Sequence, residues 1–341
     1  MKIRNEEKMK KIAINGFGRI GRLLFRELIK DKDIEIVAIN DFCDTEELAY
    51  LAKYDTVHGK FDLEVNADGD KLVCNGKSIK TYKEADASNL PWKDLEVDVV
   101  LECTGAYTKK EDALKHVEAG AKCVIISAPG KGDMKTIVYG VNEITLDGSE
   151  NVISAASCTT NCLAPILKVL NDKFGIIEGF MTTVHAYTND QVNLDVHHKK
   201  GFMTRRGRAC ALNIIPTSTG AATAIGKVIP ELEGRMSGNA LRVPVGDGSM
   251  VDLSLVLSKD VTAENINSAL RENVSDALYY TEEPIVSSDV IGCSAGSLVD
   301  GLLTEVIDVN GKKLVKVVAW YDNEYGYSMQ MVRTLKHYLS L

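Results

Sequence analysis

Short apolar runs alternate with helically spaced stretches through the first half of the chain. Ile12-Ala13-Ile14 reads as a strand. Residues 20–30 (IGRLLFRELIK) carry apolar side chains at 20, 23, 24 and 28, the spacing of one helix face. Ile34 to Ile39, Val97 to Leu101 and Val124 to Ile126 are runs of strand length, and Glu111 to Ala119 between the last two reads as a helix. Strands separated by helices predict a parallel sheet with right-handed crossovers. A doubly wound domain ending near residue 157 follows.

The second half has a different rhythm. Strand-like stretches at 176–184, 240–245, 250–257, 301–308 and 314–321 predict a mostly antiparallel sheet. Helices are expected over 159–172, 217–229 and 263–278. Apolar residues at 329, 332, 335 and 339 predict an amphipathic C-terminal helix over 324–340. Residues 187–212 lack periodicity and read as a long loop. The fold class is therefore α/β with a second, α+β domain, divided as 1–157, 158–323 and a C-terminal segment 324–341. No repeat, low-complexity tract or flexible linker interrupts it.

Composition narrows the function. A chain of 341 residues has room for two domains with cores of their own. Lys plus Arg number 40 and Asp plus Glu 48, so the net charge is −8, which disfavours nucleic acid and acidic membranes as partners. No apolar run approaches the roughly 18 residues of a membrane span. The opening MKIRNEEKMKK has no apolar core and is not a secretory signal. Met9 is an alternative start, which would make residues 1–8 a short mobile extension. The eight cysteines follow no scaffold spacing and read, outside Cys158 and Cys162, as buried reduced thiols of a cytoplasmic protein.

Gly16-Phe17-Gly18-Arg19-Ile20-Gly21 is G-x-G-x-x-G, follows a strand and opens a helix. Asp41 stands twenty residues beyond the last glycine at the end of the next strand. That context is the dinucleotide fingerprint of a Rossmann-type domain. Gly16 permits the tight turn, Gly18 lets backbone approach a pyrophosphate, and Gly21 lets helix and strand close up. Asp41 suits a ribose diol and repels a 2′-phosphate, and Phe42 to Thr45 supply no arginine, so NAD is favoured over NADP.

Ser157-Cys158-Thr159-Thr160-Asn161-Cys162 lies at a strand-to-helix junction. A cysteine at a helix N-terminus has its thiolate favoured by the dipole. Pro165 is compatible with that helix's first turn, and His185 is the best-placed base. Two other readings stand beside this one. Cys158, Cys162, His197 and His198 could hold zinc, but no second Cys-x-x-Cys supports a metal, and none is expected. Alternatively, Cys158 and His185 are a core thiol and a satisfied core histidine. Beside a dinucleotide fold, a thiol nucleophile fits aldehyde oxidation through a thioester.

Lys199, Lys200, Arg205, Arg206 and Arg208 crowd the long loop of an acidic protein, which points to an anionic ligand or a solvated loop. Thr217-Ser218-Thr219-Gly220 precedes an Ala-rich helix and suits phosphate. Arg242, inside an apolar stretch, needs a partner: an anionic substrate or a structural carboxylate.

These motifs together resemble the phosphorylating glyceraldehyde-3-phosphate dehydrogenase family. They are NGFGRIGR (15–22), SCTTNCLAP (157–165), HAYTNDQ (185–191), IIPTSTGAA (214–222), LRVP (241–244) and WYDNEYGYS (320–328), and the likeness runs from about residue 10 to the C-terminus. The resemblance implies a Rossmann-type NAD-binding domain, a catalytic domain with a mostly antiparallel sheet, a C-terminal helix returning to the first domain, and a homotetramer. It implies Cys158 as nucleophile and His185 as base. Thr188 and Arg242 would hold the phosphate of glyceraldehyde 3-phosphate. Ser157, Thr159, Arg208, Thr219 and Gly220 would line the site for inorganic phosphate. Arg19, Ile20, Asp41, Ser127 and Asn323 would contact NAD. The implied route is hemithioacetal, hydride transfer, thioester and phosphorolysis to 1,3-bisphosphoglycerate.

Ala85 replaces a frequent arginine near the adenine, His197 replaces a frequent proline, which loosens the exclusion of NADP, and Tyr325 replaces a frequent Trp or Phe. Erythrose-4-phosphate dehydrogenase shares the core motifs; Tyr187-Thr188, Thr219-Gly220 and the basic loop favour inorganic phosphate against it. A non-catalytic NAD-binding or interaction protein on the same fold is the other alternative.

Overall fold

A computed structural model describes residues 9–341. The extension expected over residues 1–8 lies outside the described residues. The chain divides into two compact units. One runs to Thr136 and takes in Leu146–Ala155 and Thr334–Leu341; the other comprises Ile137–Thr145 and Ala156–Arg333.

The first unit begins β1 (Lys10–Asn15), α1 (Arg19–Leu28), β2 (Ile34–Asn40), α2 (Thr45–Lys53). A meander of β3 (Val65–Asp68), β4 (Lys71–Cys74) and β5 (Lys77–Tyr82) follows. Then come β6 (Val99–Glu102), α3 (Lys110–Glu118), β7 (Cys123–Ile126), β8 (Lys135–Thr136) and β9 (Val152–Ser154). All nine strands form one sheet in the order β3-β4-β5-β2-β1-β6-β7-β9-β8. Only the β3–β4 and β4–β5 pairings are antiparallel. β6 and β7 are buried along their whole length, which is why they read as unbroken apolar runs and not as alternation. The chain winds away from β1 in both directions, so the carboxyl ends of β1 and β6 flank the switch point where open α/β sheets bind ligands.

The meander has no counterpart in the sequence expectations. Its apolar residues are few: Val65 and Ile79 stand singly, and Leu72-Val73-Cys74 is a run of only three. Its hairpin signals are Asp68-Gly69 and Asn75-Gly76; Gly69, Asn75 and Gly76 all have positive φ, the conformation tight hairpins demand.

The second unit contains α4 (Cys158–Phe174), β10 (Ile176–Ala186), β11 (Ile215–Ser218), α5 (Ala221–Val228), β12 (Met236–Val243), β13 (Ser249–Leu257) and α6 (Ala263–Glu272). β14 (Leu278–Thr281), β15 (Ser297–Val309), β16 (Lys312–Tyr321) and α7 (Tyr325–Leu339) complete it, α7 passing into the first unit at Thr334. The seven-stranded sheet runs β11-β12-β10-β13-β16-β15-β14. β10–β12 and β14–β15 are parallel; the other pairings are antiparallel. Leu163, Ile166, Leu167 and Leu170 of α4 share one core with Ile225 of α5, Ile266 and Leu270 of α6, and Val251, Leu253 and Leu255 of β13.

Several details differ from expectation. The helix expected over 217–229 starts only at Ala221, because Ile215–Ser218 pairs with β12 as a strand. The helix expected over 263–278 ends at Glu272; its start is pinned by the reciprocal Thr262–Asn265 capping box. The strand expected over 240–245 spans Met236–Val243. Pro165 sits inside α4 and not in its first turn, so its missing N–H costs Asn161 a helical partner.

Candidate active site

In the first unit the glycine loop is shaped by contact. Gly16 has φ +92°, and a Cβ there would fall 2.7 Å from the Thr104 nitrogen. A Cβ on Gly21 would lie 2.1 Å from the Gly16 carbonyl oxygen, so α1 can approach β1 only through a glycine. Gly18 has nothing within 4 Å of such an atom and leaves its backbone open. It is the N-cap of α1, with no side-chain cap and no acidic residue in the first turn, so the helix start is left to an anion. Asp41 follows β2 and locks the loop: Oδ2 accepts from Phe17 N at 2.7 Å and Oδ1 from Cys43 N at 3.2 Å.

The adjoining cavity of about 440 Å³ is lined by Gly16, Gly18 and Asp41 together with Glu84, Ala85 and Asp112. Among the described residues three carboxylates and no Lys or Arg line it, which fits NAD with its 2′-hydroxyl and opposes a 2′-phosphate. The Arg19 guanidinium is committed to Asp55, and neither Arg19 nor Ile20, which open α1, is among the residues lining the cavity. Ser127 donates its N–H to Glu102 O at 2.9 Å and bonds the Cys103 thiol through its side chain.

Beneath the cavity lies a network that the sequence reading missed. Glu102 is 1% exposed and accepts from Asn15 Nδ2, Thr104 N and His116 Nε2. Trp92 Nε1, which can only donate, meets His116 Nδ1 at 2.9 Å, so the ring proton sits on Nε2 and points at Glu102. Asn15 in turn accepts from Asn40 Nδ2 at 2.7 Å. A lone Glu closing an apolar strand is the one trace of this in the sequence.

In the second unit Cys158 opens α4. Ser157 is the N-cap; its Oγ accepts from Thr160 N at 3.1 Å. Cys158 Sγ lies 3.4 Å from His185 Nε2. His185 Nδ1 is 2.7 Å from Ala186 O, a carbonyl that cannot donate, so the proton is on Nδ1 and the Nε2 lone pair faces the thiol. Arg242 Nη1 is 3.0 Å from the same Nδ1, but its two protons are taken by Ala186 O at 2.9 Å and Thr188 Oγ1 at 3.1 Å. The register explains the cluster, since His185 on β10 sits directly opposite Arg242 on β12.

Burial and the Arg242 charge push His185 down to about 3. Burial also pushes the Cys158 thiol up, against the opposing pull of Arg242 and of Thr159. Desolvation thus works against the dipole that favours the Cys158 thiolate, while Arg242 and Thr159 work with it.

The anion-binding residues fall into two groups. Thr188, Arg242, Asp190 and Arg206 converge: Asp190 accepts from Thr188 Oγ1 at 2.6 Å and pairs with Arg206. Arg242 Nε is buried with no hydrogen-bond partner among the described residues, an orphaned donor that an anion would satisfy. Arg208, in contrast, points outward, 63% exposed and paired with Asp195 at 2.7 Å; Arg206, 14% exposed, takes the inner place. Thr159 turns inward, 4% exposed, its hydroxyl 2.9 Å from Tyr321 OH. Thr219 bonds Ala221 N at 3.2 Å beside Gly220, the N-cap of α5. Asn323 is buried, with its Oδ1 held by Ser249, whose hydroxyl also accepts from Ala186 N at 3.0 Å. Asp190, Arg206 and Tyr321 were not singled out as site residues from sequence. Asp190 stood inside the HAYTNDQ motif and Arg206 inside the basic loop.

A Rossmann-type crevice that fits a dinucleotide, and a thiol held against an imidazole, are the parts of an NAD-dependent dehydrogenase. Residues 10–110 match the glyceraldehyde 3-phosphate dehydrogenase NAD binding domain, and residues 157–323 match the C-terminal domain of the same enzyme. Glyceraldehyde-3-phosphate dehydrogenase of Clostridium acetobutylicum is 58% identical over 333 residues, covering 98% of this chain and 99% of that one. The enzymes of that name from Clostridium pasteurianum and Streptococcus pyogenes are 57% and 52% identical, over 98% and 97% of this chain and 99% and 98% of theirs. The chain belongs to the glyceraldehyde 3-phosphate dehydrogenase family, whose N-terminal domain takes NAD as its cofactor.

Proposed function

We propose that this chain oxidises glyceraldehyde 3-phosphate with NAD and inorganic phosphate to 1,3-bisphosphoglycerate. The observation that carries the reading is the 3.4 Å approach of Cys158 Sγ to the open lone pair of His185 Nε2, beside the orphaned Arg242 Nε. His185 takes the thiol proton as Cys158 attacks the aldehyde. Arg242 and Thr188 hold the substrate phosphate. That phosphate offsets the Arg242 charge, the second cause of the depressed imidazole, so substrate binding makes His185 a stronger base. First-turn N–H groups of α4 stabilise the hemithioacetal oxyanion. His185 returns the thiol proton to that oxyanion and takes it back as the hemithioacetal gives up its hydride, leaving a thioester on Cys158. NAD would supply the hydride acceptor, and the glycine loop, Asp41 and Asn323 would hold it. Ser157, Thr159, Thr219 and Gly220 serve the attacking phosphate, with the inward-facing Arg206 in the place expected for Arg208, which is turned out onto Asp195.

The exposed apolar side chains Leu194, Val196, Phe202, Met203 and Leu212 on the long loop, with Ile214 just beyond it, support a homotetramer that covers them. Eight free thiols support a reducing, cytoplasmic setting. No helix among the described residues is long and apolar enough to cross a membrane.

The test is NADH formation from glyceraldehyde 3-phosphate and NAD with and without phosphate. Sustained turnover is expected only with phosphate. Phosphate-independent turnover would shift the reading to erythrose-4-phosphate oxidation, and no turnover from folded, NAD-binding protein would leave the non-catalytic alternative.

A further inference from the structure

Among the described residues five non-glycines have positive φ: Asn75, Glu96, Ala156, Arg205 and Asn310. Four are exposed; Ala156, at φ +58°, is 1% exposed. A residue with a Cβ avoids this region, and holds it only where its surroundings over-determine it. Ala156 stands two residues before Cys158, on the turn that delivers the chain into α4.

What over-determines it is α7. Tyr327 OH donates to Ala156 O at 3.0 Å. The next carbonyl, Ser157 O, accepts from Asn161 Nδ2 at 3.0 Å. Gln330, three residues after Tyr327 and so on the same helix face, reaches Asn161 Oδ1 at 3.5 Å and Tyr139 O at 3.0 Å through Nε2. Its amide cannot flip, because Oε1 accepts from Arg333 Nη1 at 3.0 Å. Both carbonyls that precede the thiol are thus gripped by side chains.

We infer that Tyr327 and Gln330 of α7 are positioning residues that hold the left-handed turn at Ala156 and thereby aim Cys158 Sγ at His185 Nε2. The inference rests on Cys158 being the nucleophile. A helix whose far end belongs to the other unit thus sets the direction of the reacting sulfur. Tyr327→Phe removes one grip with the ring shape kept. Ala156→Gly keeps the turn permissible but no longer stiff, since glycine adopts φ +58° freely.

The experiment measures iodoacetamide alkylation of Cys158 across pH by mass spectrometry, with turnover, NAD affinity and Tm, in wild type and both variants. In Tyr327→Phe, alkylation at neutral pH and turnover at saturating substrate are expected to fall about tenfold, with NAD affinity unchanged. In Ala156→Gly, alkylation is expected to fall while Tm holds or rises, a divergence that a merely structural role would not produce. Alkylation within twofold of wild type in both variants overturns the inference, as does a loss that only tracks falling Tm. Wild-type enzyme that keeps its turnover once Cys158 is alkylated overturns instead the nucleophile assignment beneath it.

Discussion

In the nucleotide crevice, backbone does the shaping. Gly16, Gly18 and Gly21 and the carboxylate of Asp41 span 26 residues, and each acts through a backbone contact or the space it leaves. The thiol pocket is assembled from side chains that the sequence keeps apart. Cys158 starts α4, His185 ends β10, Arg206 comes from the long loop and Arg242 from β12. The first design tolerates little change of shape, because a single Cβ closes it. The second tolerates little change of charge, because its imidazole and guanidinium sit side by side out of water. The lesson is that one site fails by sterics and the other by protonation state.

The largest effect separates chemistry from binding. Cys158→Ser is expected to cut turnover by at least about 10⁴-fold while NAD affinity, read by calorimetry, stays within twofold. A serine enzyme within tenfold of wild type would break the assignment. The converse substitution is Gly21→Ala, whose Cβ would lie 2.1 Å from the Gly16 oxygen. It should weaken NAD by about 100-fold and leave the Cys158 alkylation rate of apo protein unchanged. Lost alkylation in that variant would show the two regions to be one cooperative site.

The smallest effect is a difference in acid lability. Unfolded histidine takes its proton near 6.5, whereas His185 resists to about 3. The unfolded chain therefore binds more protons in between. This stability contribution is whole above pH 6.5 and drains as pH falls toward 3. The side chain of Asp55, 5% exposed and paired with Arg19, is held down at about 2 from 3.8, so its share is whole above 3.8 and drains toward pH 2. That share is about 2 kcal/mol. Thermal unfolding between pH 7 and 2.5 should show His185→Asn flattening the upper window and Asp55→Asn only the lower. Identical slopes in both variants and wild type would refute the difference.

Much of the architecture was legible. The apolar runs of β6 and β7, the spacing of α1, the glycine fingerprint and the strand-to-helix junction at Ser157-Cys158 are short-range patterns, and each corresponds to a feature of the fold. The β3–β5 meander was legible only through its Asp-Gly and Asn-Gly turns, because its apolar positions are too sparse to show a period. Pro165 misled because a helix interior buried on most sides can absorb one missing hydrogen bond.

The sequence by itself determined the parallel and antiparallel halves, the dinucleotide loop, the carboxylate that favours NAD, and the cysteine and histidine that meet. Those rest on local rules: period, cap, turn and a glycine's missing Cβ. Tertiary structure alone decided which arginine faces inward, Arg206 over Arg208, and which ring nitrogen of His185 carries the proton. It also decided the left-handed turn before Cys158, the desolvation that pushes its thiol up, and the Trp92–His116–Glu102 chain under the cavity. The reason is physical: desolvation and hydrogen-bond direction depend on atoms brought together from tens to well over a hundred positions away, and no window along the chain contains them.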